Sequence, residues 1–248
     1  MKKIGDYAGA VAFILLLLAI WEGGARVYDQ SYLLPSPSQI LVRLWELKEV
    51  LFFSHLPATL SIVLTGLAIS IGAGGILALF MYYSPFASKT FYPLLVASQT
   101  IPIIALAPLF VLWFGYSIWS KVAVTVLFTF FPITVGLYDG LRSTDRRLTE
   151  LLQTMGAKKR HLFFKVALPS SLPHFFSSLK VAVTLSVIGA AVGEWLGAQA
   201  GLGYFSRRMM TQFDGAAVFA PIVLLAVIAI VLFLIVKLIE SIVLKWRL

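Results

Sequence analysis

Six long apolar runs dominate this sequence and restrict it more than any other feature. They fall at about 8–28, 58–83, 90–114, 121–141, 181–200 and 217–239. Each approaches or exceeds the roughly 20 residues that a helix needs to cross a bilayer. In hydrocarbon every backbone N–H and C=O must find a partner inside the structure, and runs of this length do so as helices. Only 12% of the residues are charged and 60% are hydrophobic, far below the charged share of about a quarter in a soluble domain. The sequence therefore predicts an all-α integral membrane protein, with six transmembrane helices in one domain, 1–248. No room is left for a soluble catalytic domain. The first run lacks a small-residue cleavage pattern and is read as a retained span.

Between the fourth and fifth runs lies the one long polar stretch, 142–180. It carries eight Lys or Arg against Asp145 and Glu150. With Lys2, Lys3, Lys245 and Arg247 it predicts that this loop and both termini face the cytoplasm, by the positive-inside rule. The same rule accounts for most of the net charge of +9, so nucleic acid is not the expected partner. Leu148, Leu151, Leu152 and Met155 recur at helical spacing and form one apolar face. Ser143 or Thr144 is the expected cap, with Asp145 suited to the positive helix end. Gly156 is placed to end this helix in the left-handed conformation. A second short helix is expected from Lys158 to about Val166, with Pro169 and Pro173 as stops. A polar loop with an apolar face suits docking of a cytoplasmic protein.

The spans carry further marks. Glu22 is expected at an interface beside Arg26. Leu34-Pro-Ser-Pro-Ser38 reads as a turn and cap before a surface helix, 39–53. Gly66, Gly72, Gly74 and Gly75 favour close helix contact in the second span. Pro93, Pro102 and Pro108 interrupt the third span, where Ser98, Gln99 and Thr100 put polar groups at mid-depth. Such a break either lines a transport path or is a structural kink. Pro132 is a kink site in the fourth span, and Asp139 is expected to pair with nearby arginines. In the fifth span Gly189, Gly193, Gly197 and Gly201 form a smooth ridge, for packing within the chain or against a second copy. Glu194 is an acidic residue inside an apolar run and hence a candidate for the path; the alternative is an interfacial position beside Trp195. Residues 202–216 form an outer loop, where Arg207 and Arg208 suit either an acidic patch of a partner or lipid phosphate.

Glu150, Gly156, Val166, Leu168 and Pro169 keep the spacing of the E-A-A loop of bacterial ABC importer permeases, with Leu151 and Leu152 at the two alanines and Val166 at an isoleucine. Leu34 to Ser38, Gln99 to Pro102, Pro108 to Phe110, Trp113 to Gly115, Phe131 to Ile133 and Gly201 to Gly203 also resemble permeases of the nitrate/sulfonate/taurine class. The resemblance spans nearly the whole chain. It implies a type I importer permease of the bacterial inner membrane that pairs with a second copy. Two ATPase subunits would hold the ATP and magnesium, and an external binding protein would deliver the solute. ATPase docking then falls to Leu148, Glu150, Leu151, Leu152, Met155, Gly156, Ala157, Leu168 and Pro169. The path residues would be Ser98, Gln99, Thr100, Pro102, Glu194 and Gln199, with Trp113, Tyr138 and Trp195 as aromatic lining. Residues 193–199 look most like the thiamine-precursor pyrimidine branch, since Glu194 would repel an anion and suit an aminopyrimidine. Aliphatic sulfonate, taurine or nitrate is the alternative cargo.

No G-x-x-x-x-G-K-[ST] loop, H-E-x-x-H pair or cysteine is present, so nucleotide cradling of that kind and thiolate metal sites are excluded. No catalytic residues, metal site or bound cofactor are expected. A membrane scaffold without transport is the competing class, and it predicts no ATPase partner.

Overall fold

The computed structural model describes residues 8–245, so Lys2, Lys3 and Arg247 lie outside the described residues. Among those described the chain is helical, without strands. The helices are α1 (Ala8–Tyr28), α2 (Pro37–Glu46), α3 (Lys48–Val50), α4 (Leu56–Tyr83), α5 (Pro85–Ser98), α6 (Ile103–Phe114), α7 (Ile118–Arg142), α8 (Arg146–Thr154), α9 (Lys159–Leu162), α10 (Leu168–Trp195), α11 (Leu202–Thr211) and α12 (Gly215–Val243). Single π-helical turns, Leu51–His55 and Phe163–Ala167, join α3 to α4 and α9 to α10. Five helical stretches are long and apolar enough to cross a membrane. A sixth arises if α5 and α6, bent by 101° at their junction, count as one broken span.

α7 is the central rod, with α4 and α10 against it. The contact is made by small residues one turn apart. Gly66, Ser70 and Gly74 of α4 face Thr125, Thr129 and Thr134 of α7. A Cβ at Gly66 would meet Thr125 Cγ2 at 2.6 Å, and one at Gly74 would meet Thr134 Oγ1 at 2.7 Å. Ser70 and Thr129 share a hydrogen bond of 2.6 Å. On the other side Gly189 and Gly193 of α10 lie against Thr125 and Lys121, while Gly140 of α7 lies against Ser171 and His174. Without a strong hydrophobic drive between helices in lipid, such close backbone approach and hydroxyl bonding hold the spans together. The threonine hydroxyls also bond back to their own helix, Thr125 to Lys121 O, Thr129 to Thr125 O and Thr134 to Phe130 O.

This packing resolves the glycine expectations. Gly66 and Gly74 face α7, whereas Gly72 and Gly75 have nothing within 4 Å. The fifth-span glycines pack inside the chain, Gly189 and Gly193 against α7, Gly197 against Tyr116 and Gly201 against Glu194. α10 ends at Trp195, so Gly197 and Gly201 belong to the turn beyond it. Pro169 and Pro173 do not stop a helix. Pro169 follows directly on the π turn Phe163–Ala167 and Pro173 lies one turn further in, both within the helical stretch 159–195. The cap of α8 is Asp145, whose carboxylate accepts from Arg147 N at 2.8 Å, not Ser143 or Thr144. The surface helix is shorter than expected, ending at Glu46; its capping box of Ser36 and Gln39 is complete. The loop expected at 202–216 is largely helix α11.

α1 stands apart, with almost its whole apolar surface exposed. Its far end is fixed by Glu22, which pairs with Arg26 at 2.7 Å and accepts from Ser38 Oγ at 2.6 Å and Ser38 N at 3.0 Å.

Replacing Gly189 by leucine should lower stability by about 2 kcal/mol or more through overpacking against α7, whereas Gly72→Leu should change it little. Thermal unfolding of both variants in detergent micelles checks the contrast.

Candidate functional site

Three places gather the sequence-predicted residues: the elbow at α8, the break between α5 and α6, and the end of the bundle where α10 meets α11.

The elbow begins at α8. Leu148, Leu151 and Met155 are 43, 58 and 74% exposed, and Leu152 is half-buried. Glu150 and Gln153 flank this face. The helix closes with two tight bonds, Ala157 N to Leu152 O and Gly156 N to Gln153 O, both 2.9 Å. Gly156 has φ +86°, the left-handed geometry that this ending requires. The return leg, α9 with its π turn, runs into α10 as one helical stretch, 159–195. Its base is packed: Phe163, Ala167 and Leu168 bury against Leu79, Tyr82, Leu137 and Leu141 at the ends of α4 and α7. Leu168 and Pro169 thus begin α10, and their part in the elbow is to seat it. An exposed apolar face is thereby followed, after the turn at Gly156, by a return leg seated against α4 and α7. Arg147, Lys158, Lys159 and Arg160 surround it and are exposed.

At the break, Ser98, Gln99, Thr100 and Pro102 are all exposed. Ser98 and Thr100 donate to carbonyls one turn back, Leu95 O and Ala97 O, and Ser98 Oγ accepts from Gln99 Nε2 at 3.5 Å. Pro102 caps α6 and sets the new direction. Polar groups left facing outward at a kink do not suit lipid contact.

Glu194 belongs to a different setting. Its residue is 0% exposed. Oε1 accepts from Thr59 Oγ1 at 2.7 Å and Oε2 from Gly203 N at 2.6 Å. The carboxylate therefore has no open face toward a solute, and the argument from Glu194 to an aminopyrimidine falls. Gln199 is exposed in the following turn. Trp113 and Trp195 are exposed, but Tyr138 is buried against Tyr92 and beneath Arg142, away from any open path.

Sequence reasoning did not single out His55, Thr59 or Lys121. Lys121 is 3% exposed, and its Nζ donates to Tyr116 O, Ser117 O and Gly197 O at 2.7, 2.9 and 2.8 Å. It ties the α6–α7 turn to the α10–α11 turn. A lysine at the head of a span was the available signal, but its partners lie in another segment. At the same end Arg43 joins Asp214 and Glu46, each at 2.7 Å. These carboxylates, Glu46 first, raise the Arg43 guanidinium above its ordinary pKa. Asp214 also caps α12. Beside it, α11 presents Tyr204, Arg207, Arg208 and Thr211 around a cavity of about 330 Å³. Arg207 donates to Trp195 O.

Residues 70–245 match the family model described as binding-protein-dependent transport system inner membrane component. The chain is 63% identical over 247 residues to the formylaminopyrimidine transport permease protein ThiX of Halalkalibacterium halodurans, covering 100% of this chain and 99% of that one. It is 33% identical to the riboflavin transport system permease protein RibX of Chloroflexus aurantiacus, over 96% of this chain and 90% of that one. The putative aliphatic sulfonates transport permease protein SsuC of Bacillus subtilis is 30% identical, over 94% and 85%. Among solved structures, a chain of the MetNI methionine ABC transporter in an inward-facing conformation superposes with a TM-score of 0.69 at 18% identity, over 80% of this chain and 98% of that one. That likeness concerns the fold.

Lys121→Met should destabilise the protein by about 2 kcal/mol, since three carbonyls from two turns lose a shared charged donor. Chemical unfolding in micelles, compared with the surface variant Lys89→Met, measures it.

Proposed function

The chain belongs to the family of binding-protein-dependent transport system inner membrane components, and we propose that it forms the path by which an ATP-driven importer admits a thiamine-precursor pyrimidine. It is the permease component of an ABC transporter, a family of membrane subunits and not of catalysts. Membership implies ATPase and substrate-binding partners. Beyond that, our reading is of six spans in one domain, α5 and α6 forming the third, with both termini and the elbow in the cytoplasm of a bacterial inner membrane. Two copies pair, and ATP and magnesium stay on the ATPases.

The observation that carries this reading is the exposed Leu148, Leu151 and Met155 face, followed after the Gly156 turn by one continuous helical stretch, 159–195, that includes α10. Apolar anchors on an amphipathic helix suit a groove on a partner. The seated return leg lets closure of the ATPases displace α10, which packs along α7. The binding free energy of ATP must differ between the two arrangements for this to drive alternation. The polar break at Ser98 to Pro102 faces the path, since an exposed side-chain amide such as that of Gln99 is costly against lipid. Glu194 is not part of that lining. At the opposite end, Arg207 and Arg208 are the contact for acidic side chains of the binding protein. The cargo follows from the 63% identical relative, whose name gives formylaminopyrimidine; the sulfonate permease lies much further away.

Gly156→Pro and Glu150→Arg should cut uptake about 10-fold or more at normal abundance, because the elbow loses its shape or its docking surface. Uptake of formylaminopyrimidine in cells carrying each variant tests this, and normal uptake in both would remove the docking assignment. For the cargo, the complex purified with its binding protein should release a formylaminopyrimidine on mass spectrometry. Recovery of a sulfonate instead would overturn the choice. Arg208→Glu should lower the ATPase activity elicited by the binding protein, an effect that weakens with added salt in the parent protein.

A further inference from the structure

The first four N–H groups of a helix have no partner within it. In α11 these belong to Gly201, Leu202, Gly203 and Tyr204, and three are met by side chains from other elements. Gly201 N donates to His55 Nδ1 at 3.1 Å, Leu202 N to Thr59 Oγ1 at 2.8 Å and Gly203 N to Glu194 Oε2 at 2.6 Å. The fourth, Tyr204 N–H, also interacts with the Glu194 carboxylate. Thr59 is a bridge: it accepts from Leu202 and donates to Glu194 Oε1 at 2.7 Å. His55 ends the π turn before α4, Thr59 lies one turn later, and Glu194 is in the last turn of α10. The three residues are buried. The His55 ring packs on Phe205 with centroids 5.0 Å apart.

The glycines are part of this arrangement. Gly201 has φ +123°, and a Cβ there would collide with the Glu194 carboxyl. One at Gly203 would meet Ala191 O at 2.7 Å and Glu194 Oε2 at 3.0 Å. A carboxylate at a helix N-terminus is favoured by the helix dipole. This one serves a helix that is not its own, and so fastens two spans to a third element.

We propose that Glu194, through Thr59 and with His55, is a positioning residue that clamps α11 to α4 and α10 at once. α11 then acts as a rigid outer lever by which docking of the binding protein is felt in both spans that flank α7. Its outward side carries Arg207 and Arg208, and its inward end has no freedom to tilt alone. A helix held only by its own turn would yield locally under the partner, and nothing would reach the elbow. The clamp rests on the importer reading given above, and the two fail differently.

The test uses the whole transporter, permease with ATPase and binding protein loaded with formylaminopyrimidine, in lipid nanodiscs. Thr59→Val removes the bridging hydroxyl while keeping the shape, and Thr59→Ser restores it. Hydrogen exchange over residues 201–211 should be about 10-fold faster in Thr59→Val and near the parent rate in Thr59→Ser. The ratio of ATPase activity with binding protein to that without should fall about 5-fold or more in Thr59→Val and recover in Thr59→Ser. Glu194→Met, which removes both acceptors at similar length, should show the same two changes and serves as the test where Thr59→Val does not assemble. Faster exchange with an unchanged ratio would reduce the clamp to a plain cap and overturn the lever. Unchanged exchange would overturn the clamp itself. A parent complex that binding protein does not stimulate would sink the importer reading, and the exchange data would still decide the clamp.

Discussion

Thr125 sits where three helices meet. Gly66 of α4 lies against its methyl side and Gly189 of α10 against its Cα, while its hydroxyl bonds to Lys121 O within α7. A larger residue at either glycine would push a span away from the centre. In lipid no water is released by bringing apolar helices together, so close approach and internal polar bonds supply the cohesion. The bundle therefore depends on a few positions that have almost no side chain.

That cohesion makes the elbow mechanically useful. α8 shows leucine and methionine to the surroundings, which a free surface does not favour, while Phe163 and Ala167 sink its return leg between α4 and α7. Gly156 in the left-handed conformation turns the chain without slack. In the importer reading proposed above, force on the exposed face would pass the Gly156 turn and enter the stretch 159–195, which a π turn and Pro169 leave unbroken.

The opposite end solves a different problem. Here helix ends and turns bring unpaired N–H and C=O groups below the surface. Lys121 satisfies three carbonyls, and His55, Thr59 and Glu194 satisfy the start of α11. Charges placed in an apolar setting persist only where backbone groups or counter-charges meet them. Arg43 and Asp214 repeat the device closer to the surface.

Hydropathy and periodicity are local properties, so the spans, the elbow with its apolar face, the glycine turn and the proline break could all be read along the chain. α1 ends at Tyr28, and the break in the third run falls at Pro102, whereas Pro93 and Pro108, also expected to interrupt it, lie inside α5 and α6. Pro169 and Pro173 misled because a helix held by its packing tolerates proline, here just after a π turn that re-spaces the backbone bonds. The fate of Glu194 was beyond any window of sequence: its partner Thr59 is 135 residues away. Composition could say only that a buried carboxylate must find donors. Which donors it finds, and hence whether it faces a solute or fastens a helix, was settled by the packing of α4 and α10 around α7.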